Sequence, residues 1–179
     1  MQKEQLEEFT RLQSDALVRL REGVDRTGYL SKFRAIALPS FEDCHAYEIL
    51  LSPRSADVPG VAVRTVWRRS IDVEKFRNPV ARLKHGLGQL EPTIEEVQSV
   101  VPFEPITQLL SKASAATIPA CIVHRNFGTD GTSYELVLGG GFVEARFKWW
   151  CDAPTGWEPI STIFGEIKAL VDNAMVAGS

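Results

Sequence analysis

The stretch that most constrains the fold runs from Gly128 to Ile160, GTDGTSYELVLGGGFVEARFKWWCDAPTGWEPI. Two strand-forming runs, Tyr134–Leu138 and Phe142–Trp150, are joined by Gly139-Gly140-Gly141. Glycine reaches positive φ without a Cβ clash, so this triplet predicts a tight antiparallel hairpin. Asp130-Gly131 marks its opening turn by the same argument. Beyond it, Pro154 and Trp157 form a turn into a segment where Ile160, Ile163, Phe164, Ile167, Leu170, Val171 and Ala174 recur on one helical face. Along the second strand Val143, Ala145, Phe147 and Trp149 fall on one side and Phe142, Glu144, Arg146, Lys148 and Trp150 on the other. The first set reads as core and the second as a charged stripe bracketed by aromatics. Trp150 fits either that stripe or a place under the Pro154–Trp157 turn.

The N-terminal segment 2–24 places Leu6, Phe9, Gln13, Ala16, Leu17, Leu20 and Val24 at helical spacing, and Gly23 and Gly28 end it. Three strand candidates come next, Lys32–Leu38, Ala46–Leu51 and Val61–Arg68, separated by PSFEDC and SPRSADVPG. Proline with Ser, Asp or Gly is the chemistry of loops between antiparallel strands, so a three-stranded meander is expected. Asn78-Pro79 resembles an N-cap with a first-turn proline, predicting a short helix closed by Gly86 and Gly88. Residues 93–101 fit an edge strand or coil. From Glu104 to Ala116, Ile106, Leu109, Leu110 and Ala113 predict a helix that Pro119 stops, and CIVHRNF returns to strand.

These elements lack a strand–helix–strand repeat. The expected fold class is α+β, a mainly antiparallel sheet covered by helices on one face, with N-terminal and C-terminal helices. At 179 residues, with 44% hydrophobic and 24% charged residues, one domain spanning 1–179 is the default. The acidic start QKEQLEEFTRLQSD is unlike a secretory leader and no apolar run reaches membrane-spanning length, so a cytoplasmic protein without a membrane partner is expected. Cys44, Cys121 and Cys151 are odd in number and widely spaced, which predicts three buried thiols rather than a disulfide framework.

No motif for catalysis, metal binding or a cofactor emerges. Cys44-His45 beside Glu42-Asp43 is the densest ligand-like cluster, but neighbouring strand residues point to opposite faces. His85 suits the carbonyl end of a helix and His124 a surface or half-buried strand position. GLGQ and GGG satisfy neither phosphate-loop pattern, and no GxSxG elbow is present. Catalytic, cofactor and metal assignments are therefore none.

Charge is organised in blocks. Residues 61–85 carry Arg64, Arg68, Arg69, Lys75, Arg77, Arg82 and Lys84 against Asp72 and Glu74, 7 − 2 = +5; residues 86–104 carry Glu91, Glu95, Glu96 and Glu104 and no base, −4. Adjacent blocks of opposite sign are expected to pair within the fold, with a polarised binding face as the alternative. The net charge of −3 argues against general nucleic-acid affinity. The candidate interaction residues are Glu144, Arg146, Lys148, Trp150, Arg64, Arg68, Arg69, Glu91, Glu95 and Glu96.

The tail, with Asp130-Gly131-Thr132, Tyr134, Trp149-Trp150 and Pro154-x-x-Trp157, resembles a C-terminal pattern of small bacterial proteins, some of them presumed immunity proteins of polymorphic or contact-dependent toxin systems. The likeness covers about a quarter of the chain and consists mainly of residues with folding roles. It implies a cytosolic protein that binds and covers a toxin. The leading expectation is a non-enzymatic protein-interaction module with a protein partner. The alternatives are a small-ligand protein or enzyme with its site between sheet and helices, using Arg64, Arg146 or His124, and a nucleic-acid binder through the basic segment 61–85.

Overall fold

The computed structural model describes residues 3–23, 28–52, 58–78, 80, 90–119, 130–140 and 143–178. They form helix α1 (Lys3–Glu22), strands β1 (Leu30–Pro39), β2 (Cys44–Leu51) and β3 (Gly60–Trp67), and helix α2 (Arg69–Arg77). Strand β4 (Ile94–Val101), helix α3 (Phe103–Ala115), strands β5 (Thr132–Gly140) and β6 (Val143–Trp150) and helix α4 (Glu158–Ala177) complete the order. The six strands make one sheet in the order β4-β3-β2-β1-β5-β6, antiparallel throughout, so the expected α+β class holds. The meander extends to a fourth strand, and 94–101 is an edge strand of the sheet as described.

The hairpin forms as its glycines require. Gly139 has φ +96, and a Cβ there would lie 2.4 Å from the Val143 carbonyl oxygen. Its faces divide as the alternation predicts only toward the end of β6: Trp149 is buried and Phe147 half-buried, whereas Val143 and Ala145, expected in the core, are exposed. Trp149 is buried against Tyr134, Phe164 and Trp157, whereas the opposite face presents Glu144, Arg146 and Lys148 to solvent. It is Trp149, not Trp150, that packs on the Pro154–Trp157 turn. Trp150 lies half-buried on the other face over Gly131, whose missing Cβ would lie 2.3 Å from the Cys151 sulfur and 3.0 Å from the Trp150 ring.

Helices cover both faces of the sheet, not one. On one face α4 lays Ile160, Ile163, Phe164, Ile167 and Val171 onto Phe33, Ala35, Tyr47, Ile49 and Leu136, with α3 beside it contributing Ile106 and Leu109. On the other, Ala16 and Leu20 of α1 pack on Ile36, Ala46 and Trp67. The cause is visible in β2 and β3, which bury residues of both alternation phases. Ile49 and Ala62 face α4, whereas Ala46 and Trp67 face α1. The buried stripe of α1 is Leu12, Ala16 and Leu20 with Phe9 alongside, while Leu6 is 52% exposed.

Of the helix expected to follow Asn78, only Val80 lies among the described residues, and it is helical. A helix not expected from the sequence precedes it. Residues 69–77 are already helical, and Asn78 closes that helix through its backbone N–H to the Glu74 carbonyl. The segment RSIDVEKFR has no apolar stripe because one of its two buried residues is Asp72. Asn78 also caps forward, its side-chain oxygen accepting from the Val80 N–H at 2.9 Å. Residues 81–89, with His85, lie outside the described residues, as do the CIVHRNF strand, Cys121 and His124.

Candidate functional site

Strand register assembles the site. On the face that meets α4, His45 of β2, Ala37 of β1, Tyr134 of β5 and Trp149 of β6 are successive cross-strand partners in one row. The next row places Arg64 of β3 opposite Tyr47 of β2. Helix α4 crosses above these rows and brings down Phe164, Lys168 and Asp172, and the turns after β1 and β6 wall the far side. Between them lies a cleft of about 840 Å³, with Glu42, Asp43 and Asp152 among its rim residues. Volumes of this order are typical of small-molecule sites.

Its polar groups form a chain. Lys168 donates to Asp172 at 2.8 Å and its ammonium lies 5.5 Å from the Tyr47 ring centroid; Arg64 reaches the other Asp172 oxygen at 3.4 Å. The Asp172 hydrogen bond raises the Lys168 pKa. Burial raises the Tyr47 phenol. His45 is held below the usual imidazole value, first by burial and then by the Arg64 charge, so it is biased toward the neutral form. The His45 ring lies 6.1 Å from that of Tyr47 in a stacked arrangement. Its Nδ1 and the Nε of Arg64 are buried and find no hydrogen-bond partner among the described residues.

Of the candidate interaction residues only Arg64 lines this cleft, joined there by Glu42, Asp43 and His45 of the ligand-like cluster that the sequence offered. Arg68 is spent on Asp43 at 3.2 Å and Glu95 at 2.5 Å, so the basic and acidic blocks do pair where β3 meets β4. Arg69 donates to the main-chain carbonyls of Pro39 and Ser40 and lies 5.8 Å from the Trp67 ring. Glu91 and Glu96 are exposed. On β6, Arg146 pairs with Glu144 at 2.6 Å and Lys148 with Glu135 at 3.1 Å. Arg146 lines a smaller cavity on the opposite face of the sheet, beside Arg21 and Arg34.

Cys44 and His45 face opposite sides as strand geometry requires. Burial pushes the Cys44 thiol up to about 11, whereas Cys151, expected to be buried, is exposed in the turn after β6. Among the described residues no group of three His, Cys, Asp or Glu gathers as a metal site would require. No helix among them is long and apolar enough to cross a membrane.

Sequence reading missed His45, Tyr47, Lys168 and Asp172 as partners of Arg64. One signal was present: in GVAVRTVW Arg64 interrupts a run that is apolar in both phases, which places a charge on a covered face. The i,i+4 pair Lys168/Asp172 reads as an ordinary solvated helix face until register sets it over β2 and β3. No family model, curated protein or solved structure matches the chain.

Proposed function

We propose that the protein binds a small ligand in the cleft between the sheet and α4. The observation that carries this reading is the cleft of about 840 Å³, on which the rings of Tyr47, Tyr134 and Phe164 converge with the polar groups of His45, Arg64 and Lys168. Aromatic walls with a few convergent polar groups are the composition such sites share.

The test is an NMR titration with a fragment set. Shifts are expected to cluster at His45, Tyr47, Arg64 and residues 161–172. Arg64→Met, which keeps the stem and removes the donors, weakens binding about tenfold or more. A bound fragment also slows alkylation of Cys151, which is exposed at the cleft rim. Shifts confined to other surfaces, or binding indifferent to Arg64→Met, overturn the reading.

A second reading, a protein-interaction module of immunity type, is supported by the β6 stripe. Arg146 and Lys148 side chains are each 64% exposed in ion pairs that a partner displaces cheaply, since surface pairs contribute about 0–1 kcal/mol. The tail's resemblance to presumed immunity proteins belongs with this reading. A partner captured by the native chain and lost on Arg146→Glu with Lys148→Glu supports it; capture unaffected by the double change removes the stripe from consideration.

A further inference from the structure

We propose that the group accepted by the cleft is a planar heteroaromatic ring, stacked on the free face of Tyr134 above Ala37. This rests on the small-ligand reading and specifies its chemistry.

Ring geometry around Tyr134 carries the argument. Tyr134 stacks on Trp149, its partner across β5 and β6, with centroids 5.4 Å apart and planes within 21°. Phe164 of α4 is nearly perpendicular to both rings, 5.2 Å from Tyr134 and 5.7 Å from Trp149. Those three distances describe a nearly equilateral triangle. Phe164 therefore sits across the edges of the stacked pair rather than on the outer face of Tyr134. One face of Tyr134 is taken by Trp149, and the opposite face looks along the row toward β1.

The residue in that direction is Ala37, the cross-strand partner of Tyr134 on one side and of His45 on the other. A methyl group beside the Tyr134 face leaves a slot, bounded on its far side by His45, whose ring stacks along β2 on Tyr47. Two interstrand steps separate β5 from β2 by roughly 9.6 Å. A planar ring needs about 3.5 Å of contact distance on each face, roughly 7 Å in all. Ala37, Tyr134 and His45 all line the cleft, so the slot opens into it.

The polar groups around the slot select the kind of ring. His45, biased toward neutrality by burial and by Arg64, offers one donor and one acceptor, which suits a ring nitrogen or N–H better than a formal charge. Arg64, one row further on, lines the same cleft and carries a guanidinium suited to an acceptor substituent. A purely aliphatic ligand satisfies neither and gains no face-to-face stacking.

The experiment uses the full chain and matched probes: adenosine against ribose, quinoline-2-carboxylate against decahydronaphthalene-2-carboxylate, and nicotinate against cyclohexanecarboxylate, titrated at millimolar concentration and followed by NMR. Planar members are expected to shift Ala37, His45 and Tyr134 and to bind about tenfold more tightly than their counterparts. Tyr134→Leu removes that preference, and Ala37→Leu, which fills the slot, abolishes binding while the Trp149 indole resonance stays in place. If Ala37→Leu disturbs the fold, Tyr134→Leu alone decides. Saturated probes binding the cleft as well as planar ones, or a preference surviving Tyr134→Leu, overturn the ring assignment and leave the small-ligand reading intact. No probe shifting any cleft resonance overturns both.

Discussion

Asp72 is the residue whose role contrasts most with its chemical type. It is 2% exposed and accepts hydrogen bonds from the Trp67 indole at 2.8 Å, from the Thr93 N–H at 2.8 Å and from the Thr93 hydroxyl, with the Lys75 ammonium at 3.6 Å. It thereby ties the start of α2 to the end of β3 and the approach to β4. Asp72→Ala leaves the indole and the Thr93 amide without partners and is expected to cost about 3 kcal/mol, measured by urea denaturation. In the sequence Asp72 counts only as an acid set against a basic block, because its most important partner lies 21 positions away.

His45 gives a pH signature at the same scale. Its folded pKa lies below the unfolded value near 6.5, so the unfolded chain takes up the proton first. Stability present above that value is therefore lost as pH falls from about 7 through 6.5, until the folded imidazole also protonates. Asp43, Glu95 and Glu135, whose pKa values are lowered, lose their contributions only below about 4.5. Unfolding free energies at pH 7.5 and 5.5 are therefore expected to differ by less in His45→Gln than in the parent chain. Identical differences would show that His45 is not shifted.

Among the elements, α4 was legible because its apolar period is complete: five of the seven residues on the expected stripe, Ile160, Ile163, Phe164, Ile167 and Val171, are buried. Ile167, fully buried at mid-helix, makes the sharpest test. Ile167→Ala is expected to lose about 2–5 kcal/mol by urea denaturation. Leu170→Ala, at a half-buried position on the same helix, is expected to lose less. The hairpin was legible for a different reason, since three glycines and strict alternation leave one register that buries Trp149. Helix α2 was not, because periodicity detects apolar stripes and its anchors are one aromatic ring and one carboxylate. The cleft was not legible either. It is a product of register, and strand pairing across β2, β1 and β5 brings together cleft residues as far apart in the chain as Ala37 and Tyr134, 97 positions, in a way that no local pattern encodes.

At the scale of the whole molecule, the two-faced covering of the sheet depends on a set of charges of which the sequence singled out only Lys148. Arg34 is paired with Glu48 across β1 and β2 where the side chains are 12% and 5% exposed, and it also donates to the main-chain carbonyl of Arg21 at the end of α1. Arg21 in turn clasps Glu135 of β5 through two hydrogen bonds, at 3.0 and 2.5 Å, and Lys148 of β6 closes on the same carboxylate. The path runs from α1 through four strands, and a Cβ on Gly23 would collide with both Arg34 and Glu48. Arg34→Met leaves Glu48 buried without its countercharge, and the expected loss is about 3–5 kcal/mol. Glu48→Met strands the guanidinium, which keeps the Arg21 carbonyl as a partner, so its loss is smaller. The double replacement removes both charges from the interior and is expected to recover most of the loss, because a buried ion pair and an apolar pair of similar volume are often close in stability. A double-mutant cycle by urea denaturation, with hydrogen exchange along α1, decides the matter. Recovery of stability together with faster exchange at the end of α1 assigns the network to positioning that helix, whereas no recovery means that the Arg34–Glu48 pair itself stabilises the fold.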